Sequence, residues 1–313
     1  MKKQLSNSKS TDVVVVGSIA FDTLETPFGK ISKALGGSAS YFSLSAGNFC
    51  KPHVVGIVGS DFPDTDFTIL KKGNADTGSI EKAAGKTFHW QGKYHFDLNT
   101  RDTIKTELGV FANFKPVLNV NLKNAEYIFL GNIHPSLQLS VLKQIKKPKL
   151  VGLDTMNLWI ETALPDLKKV ISLIDIFIIN DSEARQLSKE HNIYKAAKII
   201  LKMMGHNKNS VLVIKRGEYG LLLFKKTEVF HLPGLPIEDV IDPTGAGDSF
   251  AGGFFGYLAL KRNANTQTLR KACLYGTAMA SLCVENFGTK KLQNVNKNKI
   301  ESRIKLLQKL VKI

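Results

Sequence analysis

Short runs of β-branched and apolar residues recur along the chain, and each ends in small or polar residues. They lie at 12–20 (DVVVVGSIA), 53–61, 125–131, 149–154, 176–180 and 210–217. Such runs are typical of strands buried on both faces of a parallel sheet. Stretches with helical spacing separate the later runs, at 136–146, 181–189 and 194–204. The alternation predicts an α/β fold, with a mostly parallel central sheet and helices on both faces.

One segment, 86–114, breaks this rhythm because its polar and apolar residues alternate around Gly92. That pattern indicates antiparallel strands, with a lid or dimerisation lobe as one interpretation and an ordinary edge hairpin as the other. We expect a single domain, 1–313, carrying a small antiparallel β lid. The lid should consist mainly of about 86–114, with part of 20–35 as a further contributor. A homodimer formed through this lid is an open alternative.

The composition supports a large folded domain with a basic surface. Of the 313 residues 43% are hydrophobic, which suffices for a sizeable core. Lys and Arg number 43 against 27 Asp and Glu, a net charge of +16, and such a balance suits polyanionic partners. However, no cluster interleaves basic and aromatic residues, and no helix-turn-helix or zinc-finger spacing occurs. We therefore favour a solvated basic surface over a nucleic-acid site.

The three cysteines, Cys50, Cys273 and Cys283, form no C-x-x-C pair. This spacing argues against a disulfide framework or a zinc site and favours a reducing compartment. The apolar run at 12–20 is too short to span a membrane and lacks the features of a signal peptide. The sequence thus predicts a cytoplasmic protein without a membrane segment.

The stretch 241–256, IDPTGAGDSFAGGFFG, carries the main candidate chemistry. Helical spacing starts at Gly245, so the residues Gly245, Ala246 and Gly247 place free backbone N–H groups at a helix start, where an anion is favoured. Asp248 follows in the first turn and could accept a proton from an attacking hydroxyl. The alternative is a tight turn followed by a structural acid. Neither a P-loop nor a complete G-x-G-x-x-G is present.

The sequence DPTGAGDSFAGGF resembles the C-terminal signature of the ribokinase-like (PfkB) family of carbohydrate and nucleoside kinases. Further segments follow in that family's order: VVGSIAFD, GGSASYFS, NDSEA, VIKRGEYGLLLF and LCVENFG. The resemblance covers 12–290. It implies a ribokinase-like fold and ATP-dependent phosphorylation of a hydroxyl group.

The resemblance also implies roles for individual residues. Asp248 matches the general base, and 245–247 match the anion hole for the transferred phosphoryl. Asn180 and Glu183 match an N-x-x-E pair that organises Mg²⁺ through water, with helix capping as the alternative. Four residues match the nucleotide-binding segments: Lys215, Gly217, Gly220 and Thr277. Many members carry a small hydroxyl residue in place of Lys215, which either contacts a phosphate or points to solvent. Asp242 and Thr244 match positions that bind K⁺ in many members.

On the acceptor side, the resemblance assigns Asp22 to the sugar hydroxyls and the pair Gly36 and Gly37 to close backbone approach. Ribokinases carry asparagine where this chain has Ala20 and Tyr41, so ribose is disfavoured as the substrate. Other candidate substrate contacts are Asn157, Asn99 and Arg101.

Three aromatic residues, Tyr41, Trp90 and Trp159, suggest an aromatic-lined pocket, or else they are core residues. The sequence thus predicts a kinase for a sugar or a sugar-like substrate such as a cyclitol. A nucleoside kinase is the alternative within the family. A non-catalytic sugar or nucleotide sensor, or a nucleic-acid binder, is the alternative of another class.

Overall fold

The computed structural model describes residues 12–205 and 210–312. Its strands are β1 (Asp12–Val16), β2 (Ala20–Thr26), β3 (Gly29–Gly36), β4 (Lys51–Gly59), β5 (Asp76–Ala83), β6 (Phe88–Tyr94), β7 (Arg101–Glu107), β8 (Tyr127–Leu130), β9 (Leu150–Asp154), β10 (Ile176–Asn180), β11 (Val211–Lys215), β12 (Leu221–Lys225) and β13 (Glu228–Leu232). Its α-helices are α1 (Ser38–Ala46), α2 (Asp64–Lys72), α3 (Pro135–Gln144), α4 (Asn157–Thr162), α5 (Leu164–Ile171), α6 (Asp181–Ser188), α7 (Ile193–Met203), α8 (Ala246–Lys261), α9 (Thr266–Cys283) and α10 (Lys297–Leu310).

Within the described residues the main sheet has nine strands, in the order β13-β12-β11-β10-β9-β8-β1-β4-β5. The strands from β11 to β5 run parallel, whereas β12 and β13 pair antiparallel at one edge. Alternate residues of a strand point to opposite faces. Accordingly, Val13 and Val15 pack in one hydrophobic cluster, and Val14 and Val16 pack in another.

Helices cover both faces of this sheet. The cluster of Val13 contains side chains of α1, α8, α9 and α10, and the cluster of Val14 contains side chains of α3, α5, α6 and α7. The predicted α/β class, with helices on both faces of a mostly parallel sheet, is confirmed. The two buried layers explain why the strand runs are apolar throughout instead of alternating.

The helix α8 packs unusually close to its neighbours. A Cβ atom on Gly252 would lie 2.3 Å from the carbonyl oxygen of Phe42 in α1, and one on Gly256 would lie 3.2 Å from Ala46 Cα. Glycine weakens a helix intrinsically, but here it lets two helix backbones approach directly. This contact fixes α8, and with it the residues at the start of α8, against the core.

A second sheet, in the order β3-β2-β6-β7, forms the lid. Its β2–β3 and β6–β7 pairs are antiparallel, and β2 joins β6 in parallel. The segment 20–36 therefore supplies two of the four lid strands, a larger share than we expected. The last part of 86–114 forms a 3-10 helix, Gly109–Asn113, instead of a strand. A register shift between Asp22 and Leu24 interrupts the local alternation, so the sequence of β2 does not look like a regular strand.

Among the residues that the structure describes, no helix is long and apolar enough to cross a membrane.

Candidate active site

The candidate site lies where the central strands end. Asp154 is the last residue of β9, Asn180 of β10 and Lys215 of β11. Asn180 pairs in register with Lys215, and Asp154 pairs with Ile178 two residues before Asn180. Parallel strands place their carboxyl ends at one edge of the sheet, which is where α/β proteins bind ligands. The topology thus gathers one carboxylate, one amide and one ammonium group.

The start of α8 faces the same edge. Gly245 caps the helix in the left-handed region, at φ 74°, which favours glycine. A Cβ atom there would also lie 2.2 Å from Cδ1 of Tyr41, so this position excludes any side chain. The residues Gly245, Ala246 and Gly247 stand at the helix start, as the sequence predicts, and the N–H of Ala246 donates to the carbonyl of Pro243 at 3.2 Å. Asp248 lies in the first turn.

Asp248 is a half-buried carboxyl whose pKa is shifted upward. Burial is the main cause that raises its pKa to about 7, the negative charge of Asp154 raises the pKa further, and Lys215 lowers it. A base whose pKa lies close to neutral can take and release a proton efficiently near pH 7. These properties are those that a general base needs.

Lys215 points into the site and not to solvent. Its side chain is 18% exposed, and its Nζ lies 3.4 Å from Oδ2 of Asp154. A Cβ atom on Gly247 would lie 2.8 Å from the same Nζ. The ammonium group therefore sits directly against the helix-start residues that form the candidate anion hole. The charges of Asp154, Glu183 and Asp248 all raise the pKa of Lys215, whereas burial lowers it, and the net change is upward.

Asn180 and Glu183 cap α6 and also face the site. Oδ1 of Asn180 accepts the backbone N–H of Glu183 at 2.7 Å, and Oε2 of Glu183 accepts the backbone N–H of Asn180 at 2.8 Å. This capping box is the structural alternative that the sequence left open. Glu183 is nevertheless 7% exposed. Burial raises its pKa to about 7, Lys215 lowers the pKa and Asp154 raises it. We call the four interacting side chains, Asp154, Glu183, Lys215 and Asp248, the charge cluster.

Asp242 and Thr244 hold the loop before α8. The two carboxylate oxygens of Asp242 accept backbone N–H groups, from Thr244 at 2.9 Å and from Gly288 at 2.8 Å. Asp242 is fully buried, and burial raises its pKa. Among residues 12–205 and 210–312, no lysine or arginine pairs with it. The carbonyl oxygen of Thr244 accepts the thiol of Cys283 at 3.5 Å.

Asp22 lies at the start of the lid strand β2, and its carboxyl is buried. A Cβ atom on Gly36 would lie 2.0 Å from Oδ2 of Asp22, so glycine at 36 makes room for the carboxyl group. Tyr41 donates its hydroxyl to the same oxygen at 3.4 Å. Burial, followed by the charge of Asp242, raises the pKa of Asp22 to about 7. Gly37 adopts φ 89°, where a Cβ would lie 2.5 Å from the carbonyl oxygen of Ser18.

Trp90 lies beside Asp22 on the lid. The two residues are in register across the β2–β6 pair, so their side chains share one face of the sheet. The Trp90 ring lies across Gly92, where a Cβ atom would be 2.2 Å from Cη2, and the Arg101 guanidinium carbon lies 5.8 Å from the ring centroid.

The three expected aromatic residues have different surroundings. Trp159 donates its indole N–H to Asn132 at 2.8 Å, and Tyr41 is only 1% exposed. No ring contact joins Tyr41, Trp90 and Trp159 in the described part of the chain. Of the three, Trp90 is the one on the lid next to Asp22.

Besides the contact of Tyr41 with Asp22, two hydrogen bonds join the Tyr94–Asn99 part of the lid to the main domain. Tyr94 at the end of β6 places its hydroxyl 3.1 Å from Thr244 Oγ1. Asn99, in the β6–β7 turn, donates its side-chain amide to Oε2 of Glu218 at 3.3 Å. Glu218 belongs to the turn between Gly217 and Gly220, whose φ angles of 55° and 81° require glycine-like conformations. The lid thus reaches the predicted nucleotide segment.

Within the described residues, neither Asn157 nor Thr277 makes a hydrogen bond to Asp154, Glu183, Lys215 or Asp248. Asn157 is exposed at the start of α4, and Thr277 is half-buried in α9. Sequence reasoning also missed three contacts, those of Asp154, Tyr94 and Glu218. Asp154 had a usable signal, because an acid that ends a buried parallel strand must lie at the carboxyl edge.

Comparison with known proteins agrees with this architecture. The chain matches the family model described as pfkB family carbohydrate kinase over residues 10–295. A cytidine kinase from Thermococcus kodakarensis is 31% identical over 251 residues, which cover 78% of this chain and 87% of that protein.

Two solved structures share the fold. The Methanocaldococcus jannaschii nucleoside kinase superposes with a TM-score of 0.74 at 20% identity, over 95% of this chain and 99% of that one. A putative ribokinase II from E. coli, in complex with ATP and Mg²⁺, gives a TM-score of 0.77 at 19% identity, over 94% and 99%.

The fold is therefore that of ribokinase-like kinases, as predicted. The chain belongs to the pfkB family of carbohydrate kinases, whose members transfer a phosphoryl group to a hydroxyl of a sugar or a nucleoside. The predicted class of enzyme, a phosphotransferase with an alcohol group as acceptor, is confirmed.

Proposed function

We propose that this kinase uses ATP to phosphorylate a hydroxyl group of a nucleoside, with Asp248 as the general base. The observation that carries the reaction is the position of Asp248 directly after the helix-start N–H groups of 245–247, beside the ammonium of Lys215. The nucleoside preference is supported by the 31% identity to a cytidine kinase. It favours the alternative of a nucleoside kinase over the first prediction, a sugar or sugar-like acceptor.

In the proposed reaction, the Asp248 carboxylate takes the proton of the acceptor hydroxyl. The acceptor oxygen forms a bond to the terminal phosphorus of ATP, and the bond from that phosphorus to the bridging oxygen breaks. The electron pair of the broken bond stays on ADP. The N–H groups of 245–247 donate to the phosphoryl oxygens as charge spreads over them. The closed lid excludes water, which otherwise competes with the acceptor.

The acceptor side combines a carboxylate with an aromatic ring. Asp22 can accept hydrogen bonds from sugar hydroxyls, and the pair Gly36 and Gly37 lets the substrate approach the backbone. Trp90 shares the lid face with Asp22, so a nucleobase can stack on its ring while the sugar reaches the carboxylate. A monosaccharide carries no flat aromatic base to stack on this ring, and this difference favours the nucleoside.

The charge cluster fits a magnesium ion held through water. The charge of Asp154 acts on Glu183 and on Asp248, all three carboxyl groups act on Lys215, and burial raises the pKa of each carboxyl. A divalent cation would offset this negative charge and neutralise the phosphates of ATP when bound. Within the described residues, no three acidic, histidine or cysteine side chains converge to hold a metal directly. Asn180 and Glu183 are the residues that we expect to orient its water ligands.

The loop before α8 fits a monovalent cation. Asp242 is a buried carboxyl whose oxygens receive backbone N–H groups and the side chain of Thr244, and no lysine or arginine pairs with it in the described part of the chain. We propose that K⁺ is held by Asp242 and by a main-chain oxygen of the Thr244 region. Its role would be to fix the loop that leads into the anion hole.

The experiment that tests this proposal is a screen of ATP-to-ADP turnover. The purified chain is given nucleosides, monosaccharides and cyclitols in turn, with Mg²⁺, and with K⁺ or choline as the monovalent cation. We expect turnover with at least one nucleoside at a kcat/KM about tenfold or more above that of any monosaccharide. Turnover confined to monosaccharides or cyclitols would contradict the nucleoside assignment and leave the kinase chemistry intact.

We propose a small-molecule substrate, no nucleic-acid partner and a cytoplasmic location. A homodimer through the lid is supported by β7, whose residues are all exposed at the free edge of the lid sheet.

A further inference from the structure

We propose that Lys215 is a catalytic residue that binds the transferred phosphoryl group at the anion hole, and that Asp154 is the residue that positions it. The inference rests on the proposed function, because it takes 245–247 as the place where the phosphoryl group moves. It assigns Lys215 to the reaction centre and not to the nucleotide-lining segment with which the sequence groups it.

The ammonium group of Lys215 lies against the backbone of the candidate anion hole. Nζ of Lys215 lies 2.8 Å from the point where a Cβ atom of Gly247 would be. Any side chain at 247 would therefore displace the lysine, and the glycine leaves the ammonium in contact with the backbone of the anion hole. A phosphoryl oxygen bound to the N–H groups of 245–247 lies within reach of this ammonium, which adds a full positive charge to partial ones.

Asp154 holds the side chain of Lys215 in place. Oδ2 of Asp154 lies 3.4 Å from Nζ, and the other oxygen of Asp154 accepts the backbone N–H of Thr155 at 2.8 Å. The carbonyl of Asp154 also accepts the side-chain amide of Gln138 at 3.3 Å. Thr155 binds the second carboxylate oxygen and Gln138 anchors the backbone, so Asp154 can hold a flexible lysine side chain in one conformation before any ligand binds. Such preorganisation reduces the cost of ordering the lysine during the reaction.

The ion pair of Lys215 and Asp154 is largely shielded from solvent. The side chains of Lys215 and Asp154 are 18% and 6% exposed, so their charges are poorly screened by solvent. A buried lysine with one carboxylate partner retains two further N–H donors. When negative charge builds up on the phosphoryl oxygens, these donors can stabilise it without breaking the ion pair. Lys215 keeps its own protons throughout, and the proton of the acceptor goes to Asp248.

The test compares Lys215→Met, Lys215→Arg and Asp154→Asn with a control, Lys225→Met. Lys225 is also a partly buried lysine at the end of a strand, but its ammonium binds the carbonyl of Ala264 at 3.2 Å, outside the charge cluster. We expect Lys215→Met to lower kcat about 10²- to 10³-fold, with the acceptor KM changed less than about threefold. Lys215→Arg should recover at least about tenfold of that loss, and Lys225→Met should behave as the wild type.

Asp154→Asn should lower kcat about tenfold, and in the background of Lys215→Met it should have little further effect, because both changes remove the same function. Additive losses in this double variant would mean that Asp154 acts independently of Lys215, and would overturn the positioning role.

A binding measurement separates this inference from the proposed function. Calorimetric affinities for ADP and for a non-hydrolysable ATP analogue, each with Mg²⁺, do not depend on the identity of the acceptor. Lys215→Met should weaken binding of the ATP analogue about tenfold and that of ADP less than about twofold, because only the analogue carries the terminal phosphoryl group. Equal weakening of both would place Lys215 on the rest of the nucleotide and overturn the inference, even in an enzyme active on nucleosides.

Discussion

Replacing Asp248 by asparagine should abolish most activity and yet stabilise the unliganded protein in alkaline solution. The asparagine keeps the shape of the side chain but cannot take a proton from the acceptor. Loss of a general base lowers kcat by about 10²- to 10⁴-fold. Binding of ATP should remain close to that of the wild type, since the N–H groups of 245–247 are backbone groups.

The effect on stability follows from the pKa of Asp248, which is raised from an ordinary value of 3.8 to about 7. Such a group stabilises the fold fully at a pH below its unfolded-state pKa, and this contribution is lost as the pH rises through the folded-state pKa. The difference between 3.8 and about 7 corresponds to about 4 kcal/mol, which we take as a ceiling. Asparagine remains neutral at every pH and escapes this loss.

The assay is urea unfolding of both proteins at pH 5 and at pH 8.5, without ligands. Asp248→Asn should gain up to about 3 kcal/mol of stability relative to the wild type between the two pH values, since only the interval from pH 5 to about 7 contributes, while the exposed Asp239→Asn control should not. A stability difference that is the same at both pH values would refute the burial argument. Turnover of the variant near the wild-type rate would refute the assignment of Asp248 as the base.

Three further predictions concern the acceptor and the cation. Asp22→Asn should raise the acceptor KM about 10- to 100-fold, which is the range for losing a hydrogen bond to a charged group. The KM for ATP should stay unchanged. An equal rise in both KM values would argue against a role of Asp22 in acceptor binding. Gly92→Ala adds a Cβ atom 2.2 Å from the Trp90 ring and should raise KM for a nucleoside more than for a monosaccharide, which initial rates with both substrates will show. Exchanging K⁺ for choline at constant ionic strength should lower kcat several-fold in the wild type, whereas an unchanged rate would remove Asp242 from the cation site.

Most of the central sheet was predictable because its physical signal is local. The runs around β1, β4 and β8 to β11 are apolar throughout, and a strand buried on both faces needs no information from elsewhere in the chain. The start of α8 was equally readable, since the glycines before Asp248 mark a helix start whose backbone must remain accessible.

The lid was harder to predict because its assembly depends on distant segments. Strand β2 joins β6 more than sixty residues later along the chain, and the register shift after Asp22 disturbs the one local pattern that could have marked it. Similarly, nothing near Lys215 reveals whether its side chain turns inward. The answer depends on Asp154, 61 residues earlier, and on the missing Cβ atom of Gly247.

The parallel β2–β6 pairing, which places Asp22 and Trp90 together on the lid, also affects the rate of product release. Asp22 and Trp90 lie on the lid itself, whereas Asp248 lies on the main domain. An acceptor that touches all three bridges the two bodies, so it cannot leave until the lid separates from the main sheet. Product release should then proceed at the rate of lid opening. In this enzyme, the residence time of the product would report directly on the motion of the small sheet.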